Sequence, residues 1–361
     1  MYQSFKINNF KCFRETTLNS LERVNLIAGM NNVGKTALLE ALFLHCGAYN
    51  PELTLRLNAF RGIELVKFEF GQWVETPWDS VFSEFDTSKI VELVGENEQT
   101  GHRILRLRVI RQPEELAKVR RSVQDSSDKH EVIPSFSSEM AQVLELECTE
   151  GEQRRKYYLI LDQKGPRVEP MPPLPPFPAV FLAARVRIRP ADDAERFGRL
   201  EIVGQQDVLL KALQVIEPRL RRLAVVVVGG IPMLHGDIGL GRLLPLPAMG
   251  EGMVRLASLV LAIGNTPNGV VLVDEIENGL HHSILPKVWQ AVGEVARQFN
   301  IQVFATTHSL ECIVAAHRAF SEKERYDFRL HRLERVNETI RAVTYDQETL
   351  EAAIETNLEV R

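Results

Sequence analysis

Four cysteines in 361 residues, Cys12, Cys46, Cys148 and Cys312, stand far apart and never as C-x-x-C. That spacing fits a reducing cytoplasm better than a disulfide framework or a zinc site. No apolar segment reaches the ~20 residues of a membrane span. Val225 to Val228 is a strand-length run and no more. The opening Met1-Tyr2-Gln3-Ser4-Phe5-Lys6 lacks the apolar core of a signal peptide. A large excess of charge of either sign is lacking too. With a net charge of −5, any contact with nucleic acid requires a local basic patch or a partner. What remains is a chain 45% hydrophobic and 25% charged, ordinary for a globular protein and long enough for two or three packed units.

Against this background one stretch stands out, Gly29-Met30-Asn31-Asn32-Val33-Gly34-Lys35-Thr36. It reads G-x-x-x-x-G-K-[ST], a phosphate-binding loop. An apolar run, Val24 to Ala28, precedes it and a helical run, Ala37 to Cys46, follows. Glycines let the backbone wrap phosphates, and amides at a helix start point at negative charge. Lys35 then sits against the β- and γ-phosphates, and the Thr36 hydroxyl serves Mg²⁺.

The rest of the chain supplies a frame. Period-2 alternation in Ile104 to Val109 and Val143 to Glu147, with Lys156 to Leu161 as a third strand candidate, predicts an antiparallel sheet. Trp73, Trp78, Phe82 and Phe85 read as core, and the polar stretch from Gln112 to Glu139 as a solvated loop. Pro170 to Pro178 is a stiff connector. The arginines 185, 187, 189, 196, 199, 219, 221 and 222 form the most basic region, where direct DNA contact would be sought. Gln205 to Ile216 predicts a helix, as does Met253 to Ile263 after Gly250-Glu251-Gly252.

Val270 to Val273 and Ile301 to Thr306 are continuous apolar runs, the pattern of strands buried on both faces. Between them Ser283 to Phe299 predicts a helix capped by Ser283. Ser309 caps another, from Leu310 to His317. Alternating strands and helices after a phosphate loop imply a mostly parallel sheet with ligand at the carboxyl ends of its strands. Lys35, Asp274-Glu275 and His308 all fall at such ends. Asp274 is placed to hold Mg²⁺, and Glu275 to accept a proton from the attacking water. His308 is placed to contact the γ-phosphate. His281-His282 lacks the i, i+4 spacing of a metal pair. Asp162-Gln163-Lys164 is similar to a nuclease D-x-K but has no matching upstream acid, and reads as a β-turn.

Taken together, these motifs resemble the ABC-type ATPase heads of the SMC, RecF and OLD (overcoming lysogenization defect) group. Within it they resemble the compact OLD-like AAA-family ATPases of bacterial antiphage and repair systems. The resemblance rests on Asn9-Phe10-Lys11-Cys12-Phe13, the Gly29–Thr36 loop, Gly250-Glu251-Gly252, Asp274-Glu275, Glu277-Asn278-Gly279-Leu280-His281 and Ala305-Thr306-Thr307-His308-Ser309. It implies an α/β fold, a P-loop NTPase with ABC-ATPase head architecture. A mixed or parallel core, an antiparallel β lobe and a helical lobe are expected. The expected divisions are 1–178 with the phosphate loop and antiparallel insertion, 179–265 as helical lobe, and 266–361 as the remaining core.

The resemblance further implies a head-to-head dimer with two ATP molecules at its interface. Each nucleotide is then cradled by Asn31, Asn32, Val33, Gly34, Lys35, Thr36 and Ala37, beside Gly29, of one copy. Gly250, Glu251 and Gly252 of the other cover it, and Glu277 and Asn278 belong to the crossing D-loop. Two features depart from the pattern. Ala248 or Met249 stands near where the signature motif carries serine, and Gln72 is only a candidate for the Q-loop. About fifty residues follow His308, too few for the TOPRIM nuclease domain of full-length OLD proteins.

Three functions stay open at this point. The first is an ATP-hydrolysing dimeric switch that controls a separate effector, such as a nuclease, in antiphage defence or DNA repair. The others are a transporter-type nucleotide-binding subunit and a nucleotide-controlled, non-catalytic scaffold. A cytoplasmic protein with no membrane of its own is expected. Nucleic acid is reached directly or through the partner.

Overall fold

The alternating stretches pair with one another, and the continuous apolar runs build a separate sheet. The computed structural model describes residues 1–61, 76–117, 119, 142–162, 165–186, 188–323 and 325–361. Its first strands are β1 (Tyr2–Phe10), β2 (Phe13–Leu18), β3 (Val24–Gly29), β4 (Val91–Asn97), β5 (Gly101–Ile110), β6 (Gln142–Glu150), β7 (Gln153–Asp162) and β8 (Gly165–Glu169). There follow β9 (Ala179–Leu182), β10 (Arg222–Val228), β11 (Ile231–Asp237), β12 (Leu244–Pro245), β13 (Val270–Val273), β14 (Gln302–Thr306), β15 (Phe328–Val336) and β16 (Thr339–Tyr345). The helices used below are α1 (Lys35–Cys46), α2 (Leu53–Phe60), α3 (Pro190–Ile202), α4 (Asp207–Gln214), α5 (Glu251–Gly264), α6 (Leu285–Gln298), α7 (Leu310–Ser321) and α8 (Gln347–Glu355).

A seven-stranded antiparallel sheet runs β2-β1-β4-β5-β6-β7-β8. The proline-rich connector leads from its last strand to β9, on the edge of a six-stranded sheet ordered β16-β15-β3-β14-β13-β9. There β15, β3, β14, β13 and β9 are parallel and only β16 runs against its neighbour. A three-stranded sheet, β10-β11-β12, stands separately. This is the α/β architecture expected.

The parallel strands are apolar throughout because both faces are covered. Leu26, Val271, Val273, Val303 and Ala305 face one core, shared with α5, α6 and α7. Ile27, Val270, Leu272 and Phe304 face the other, shared with α1 and the antiparallel sheet. Each fully buried Val, Leu or Phe contributes roughly 1.5–3 kcal/mol relative to exposure, so a strand in this setting admits no polar face. Helix α1, wedged between the two sheets, is buried nearly all round, with Leu38, Leu39 and Leu42 fully covered. No described helix is long and apolar enough to cross a membrane.

Several boundaries differ from the sequence expectation. Residues His282–Ile284 form a 3₁₀ turn before α6, and His281, not Ser283, caps it by accepting the Ser283 amide. Pro286 still lies in the first turn of the helix. Ser309 caps α7 through the Cys312 amide, and that helix runs on to Ser321. Val225 to Val228, read as a strand-length run, is the end of β10, whereas helix α3, strand β11 and the terminal β15–β16–α8 unit were not foreseen as elements. Trp78 and Phe82 are core, whereas Phe85 is 63% exposed. Trp73, Gln72, Arg187, Gln163, Lys164 and most of the 112–139 stretch lie outside the described residues.

One buried group carries a pH dependence. His331 on β15 is fully buried, its ring 3.0 Å from the Thr344 hydroxyl and 3.3 Å from Asn25. Burial pushes its pKa down to about 3, with Arg329 adding to the effect. An unfolded histidine titrates near about 6.5. Below that pH the unfolded chain takes up a proton the folded chain refuses. The stability contribution is therefore complete above pH about 6.5 and is lost as pH falls toward 3, on the order of a few kcal/mol. Urea unfolding compared at neutral and acid pH should show a smaller decline for His331→Gln than for the unchanged protein. Equal declines would refute this assignment.

Candidate nucleotide-binding site

The phosphate loop joins the end of β3 to the start of α1, and its two framing glycines have no room for a side chain. Gly29 has φ +138°, and a Cβ there would lie 2.6 Å from the Leu333 carbonyl oxygen. Gly34 has φ +99°, and a Cβ there would lie 2.5 Å from Cys12 Sγ. Val33 points into the core and anchors the loop, while Asn31 and Asn32 are exposed. Asn32 is itself left-handed (φ 61°), and its carbonyl accepts from Arg335 at 3.3 Å. No side chain caps α1 at Gly34, and its first turn carries no acid. The amides and the positive end of the helix dipole are left for an anion.

Lys35 is 5% exposed. Its ammonium donates to the carbonyls of Gly29 (2.6 Å) and Met30 (3.0 Å) and lies 3.1 Å from His308 Nδ1. Burial lowers its pKa, against the pull of Asp274, Glu277 and Glu275. Two of its hydrogens are thus held by loop carbonyls and the third faces the His308 ring, so a phosphate must compete with these contacts.

Asp274 follows β13 and stands beside α1. The Thr36 hydroxyl donates to its two oxygens at 3.1 and 3.2 Å, and the Thr306 hydroxyl donates at 2.7 Å. Asp274 is 7% exposed, and burial pushes its pKa up despite those bonds. A buried carboxylate beside a hydroxyl is a hard-oxygen donor pair suited to Mg²⁺, which takes one or two protein ligands and completes its shell with phosphate and water. No cluster of three or more His, Cys, Asp or Glu able to hold a metal occurs among the described residues. A metal shared with substrate fits the site better than an all-protein cage.

Glu275 has φ +50°, a left-handed conformation that costs a non-glycine residue on the order of 1–3 kcal/mol and recurs at functional sites. Its amide donates to Thr306 Oγ1 at 2.8 Å, and its carboxylate accepts from Asn278 at 2.6 Å. His308 Nε2 lies 3.5 Å from the same carboxylate. The His308 ring therefore stands between Lys35 and Glu275. Glu277 holds His308 in place by accepting its amide at 2.8 Å. The other Glu277 oxygen is buried without a partner.

Adjacency in the sheet makes this convergence possible. Strands β3, β14 and β13 are neighbours, and their carboxyl ends deliver Lys35, His308 and Asp274-Glu275 to one cleft of about 1140 Å³. Thr36, Ala37, Asn32, Gly34 and Asn278 also line it. Gly250, Glu251 and Gly252 do not. They start α5, next to Gly279 and Leu280, and Arg255 ties that helix to the site by donating to the carbonyls of Asp274 (3.1 Å) and Glu275 (3.2 Å).

Sequence reasoning missed Arg255, Thr306 as a clamp, and a buried carboxylate on α1. Glu40, 0% exposed, accepts from Lys11 (2.6 Å) and from Arg61 (2.8 Å) at the cleft wall. A lone glutamate on an otherwise apolar helix was the available signal. Arg185 lines the cleft as well. The other arginines considered for DNA are mostly paired close by: Arg189 with Asp192, Arg196 with Asp193, Arg199 with Glu195, Arg219 with Glu217.

Comparison with known proteins agrees with this geometry. Over 376 aligned residues, 97% of each chain, the sequence is 25% identical to a Helicobacter pylori protein named "ATP/GTP phosphatase". Two solved structures share the fold at TM-score 0.50. One is the SmcHead bound to the C-winged helix domain of ScpA, 10% identical, covering 98% of this chain and 99% of that one. The other is the Smc head domain with an extended coiled coil bound to the C-terminal domain of ScpA derived from Pyrococcus furiosus, 9% identical and covering 99% of each. Residues 24–313, from β3 into α7, match the family described as "AAA domain, putative AbiEii toxin, Type IV TA system". The chain belongs to that family of AAA-domain ATPases and has the fold of an SMC head.

Proposed function

We propose that this chain is an ATP-driven switch that works as a pair of heads. The observation that carries the reading is the division of the site. Lys35, Thr36, Asp274, Glu275 and His308 converge on one cleft, while Gly250–Gly252 lie outside it at an uncapped helix start. A second copy supplies what the cleft lacks. The amides of Gly250 to Gly252 and the α5 dipole would then cover the γ-phosphate of the nucleotide held by the partner, in place of the absent signature serine.

In this reading the free amides of 31–36 and the Lys35 ammonium hold the β- and γ-phosphates. Glu275, freed from Asn278, takes the proton of the attacking water, and His308 donates to the γ-phosphate. Thr36 and Asp274 hold Mg²⁺, which when bound neutralises phosphate charge. Glu277 and Asn278 report the state of the cleft to the interface. ATP closes the pair and hydrolysis reopens it.

The motion would control a separate effector such as a nuclease, in antiphage defence or DNA repair. The OLD-like resemblance and the toxin–antitoxin description of the family support a partnered role. Nucleic acid would be reached mainly through that partner, given how much of the arginine charge is already paired. The name of the Helicobacter pylori relative favours GTP as an additional substrate, which parallel turnover assays with both nucleotides would decide.

The division of the site is tested by Gly252→Arg. That variant should bind nucleotide like the unchanged protein, since Gly252 is outside the cleft, yet fail to close head on head with ATP and Mg²⁺, read as energy transfer between labels placed beside the two clefts. Its hydrolysis should fall by about 10²-fold or more, the loss typical of a deleted oxyanion-type contact. Turnover at the unchanged rate would remove the two-head reading.

A further inference from the structure

The β10–β11 hairpin closes through Gly229-Gly230, whose φ values of 59° and 81° are those of a two-residue type I′ turn. Such a turn closes on a hydrogen-bonded pair, here Val228 with Ile231. Alternation then makes Val226–Met233, Ala224–His235 and Arg222–Asp237 bonded pairs, with Val227–Pro232, Val225–Leu234 and Leu223–Gly236 non-bonded. Pro232, which has no N–H, falls on a non-bonded pair as this assignment requires. The N–H and C=O groups of Leu223, Val225 and Val227 therefore point away from β11. They face an edge on which no strand pairs among the described residues.

Apart from the charge of Arg222 at its start, that edge carries none of the usual protection. β10 has no proline and no lysine, and its register with β11 runs without a bulge. The far side of the hairpin is different. There Pro232 blunts the part of β11 that the short β12, paired only to His235 and Gly236, leaves uncovered. Around the open edge Val227 and Val228 are each 64% exposed and Ile231 is 56% exposed. An unpaired backbone row flanked by exposed β-branched side chains is a template for another strand.

We propose that β10 is an interface between two copies of this chain, paired antiparallel about a two-fold axis at Val225. Only that centre engages all three free residues of each copy: Val225 meets its counterpart, and Leu223 meets Val227. The same register sets Arg222 opposite Val228, so no like charges meet. The contact is isologous and closes on itself, joining two three-stranded sheets into one and stopping at a pair. It needs no nucleotide and is independent of the two-head reading above. Two chains held this way would stay together while their clefts bind and release ATP.

Light scattering on the full chain in nucleotide-free buffer, at tens of micromolar, should give twice the 40.9 kDa chain mass. Val225→Pro removes an N–H that faces outward, so the hairpin keeps its own ladder, and it should give the single-chain mass. Val227→Lys leaves every backbone group in place and should do the same. No β10 residue lines the cleft, so both variants should bind nucleotide normally, which controls for folding. Hydrogen exchange should show the Leu223, Val225 and Val227 amides slowing as concentration rises. A single-chain mass for the unchanged protein would overturn the proposal, as would a pair that survives both substitutions. So would amides that exchange freely at every concentration and become protected only in the presence of a different protein.

Discussion

Glu275→Gln is expected to slow ATP hydrolysis by about 10²–10⁴-fold, the range for loss of a positioned general base, while leaving ATP affinity near that of the unchanged protein. Glutamine keeps the size of the side chain and can still accept from Asn278, whose amide now bonds the carboxylate at 2.6 Å. It cannot take a proton. In the two-head reading the consequence is structural as well as kinetic, because ATP that is bound and not cleaved holds the pair closed. The variant should therefore close head on head with ATP and Mg²⁺ and stay closed for as long as ATP remains. Whatever effector the switch controls should co-purify with it in that state. Single-turnover phosphate release and energy transfer between labelled heads on one preparation provide the check. A variant that hydrolyses at the unchanged rate would show that Glu275 is not the base.

Lys35→Ala is expected to act earlier, at binding. A charge-assisted contact to phosphate is worth about 1.5–3 kcal/mol, so triphosphate affinity should fall by about 10–100-fold. Loss of the same charge from the transferring phosphoryl group should lower turnover by a further factor of about 10²–10³. Lys35→Arg separates charge from shape. The guanidinium keeps the charge but cannot occupy the compact position between the Gly29 and Met30 carbonyls and His308. Recovery of part of the affinity with little of the turnover is the expected pattern. Titration with a fluorescent ATP analogue would read the first and phosphate release the second. Unchanged affinity in Lys35→Ala would place the phosphates elsewhere.

The two substitutions probe residues of very different legibility. Lys35 stands inside eight consecutive residues whose spacing prescribes a conformation, and Gly29 and Gly34 adopt the positive φ values that spacing demands. Glu275 was visible as one of two acids after a β-branched run. Its left-handed backbone and its clasp by Thr306, on another strand, and by Asn278, three residues on, were not. Glu277 was read for its place in the D-loop, and the structure adds that its carboxylate fixes the His308 amide. Arg255 had no signal at all. On α5 it is one more basic residue, until packing sets it against two carbonyls at the end of β13. The arginine-rich stretch was legible as charge but not as pairing. It looked like free positive charge because the partners lie one helical turn away and appear only once α3 is formed: Asp192 and Asp193 in its first turn, Glu195 in the next.

By itself the sequence determined the phosphate loop, the alternating and the continuous strands, and the acids and histidine that follow two of those strands. These are properties of consecutive residues. Glycine conformational freedom, side-chain period and continuous apolarity act within a few residues of one another and need no distant partner. Tertiary structure alone decided that β14 lies between β3 and β13. That order is what sets Lys35 3.1 Å from His308 across 273 positions of chain, and Thr36 3.1 Å from Asp274 across 238. It also decided that Glu40 is clasped by Lys11 and Arg61, and that the β10 edge is left open. Strand order follows from the summed packing of whole faces, Leu26, Val271 and Val303 on one side and Ile27, Leu272 and Phe304 on the other. No single residue carries that sum, so no local pattern announces it.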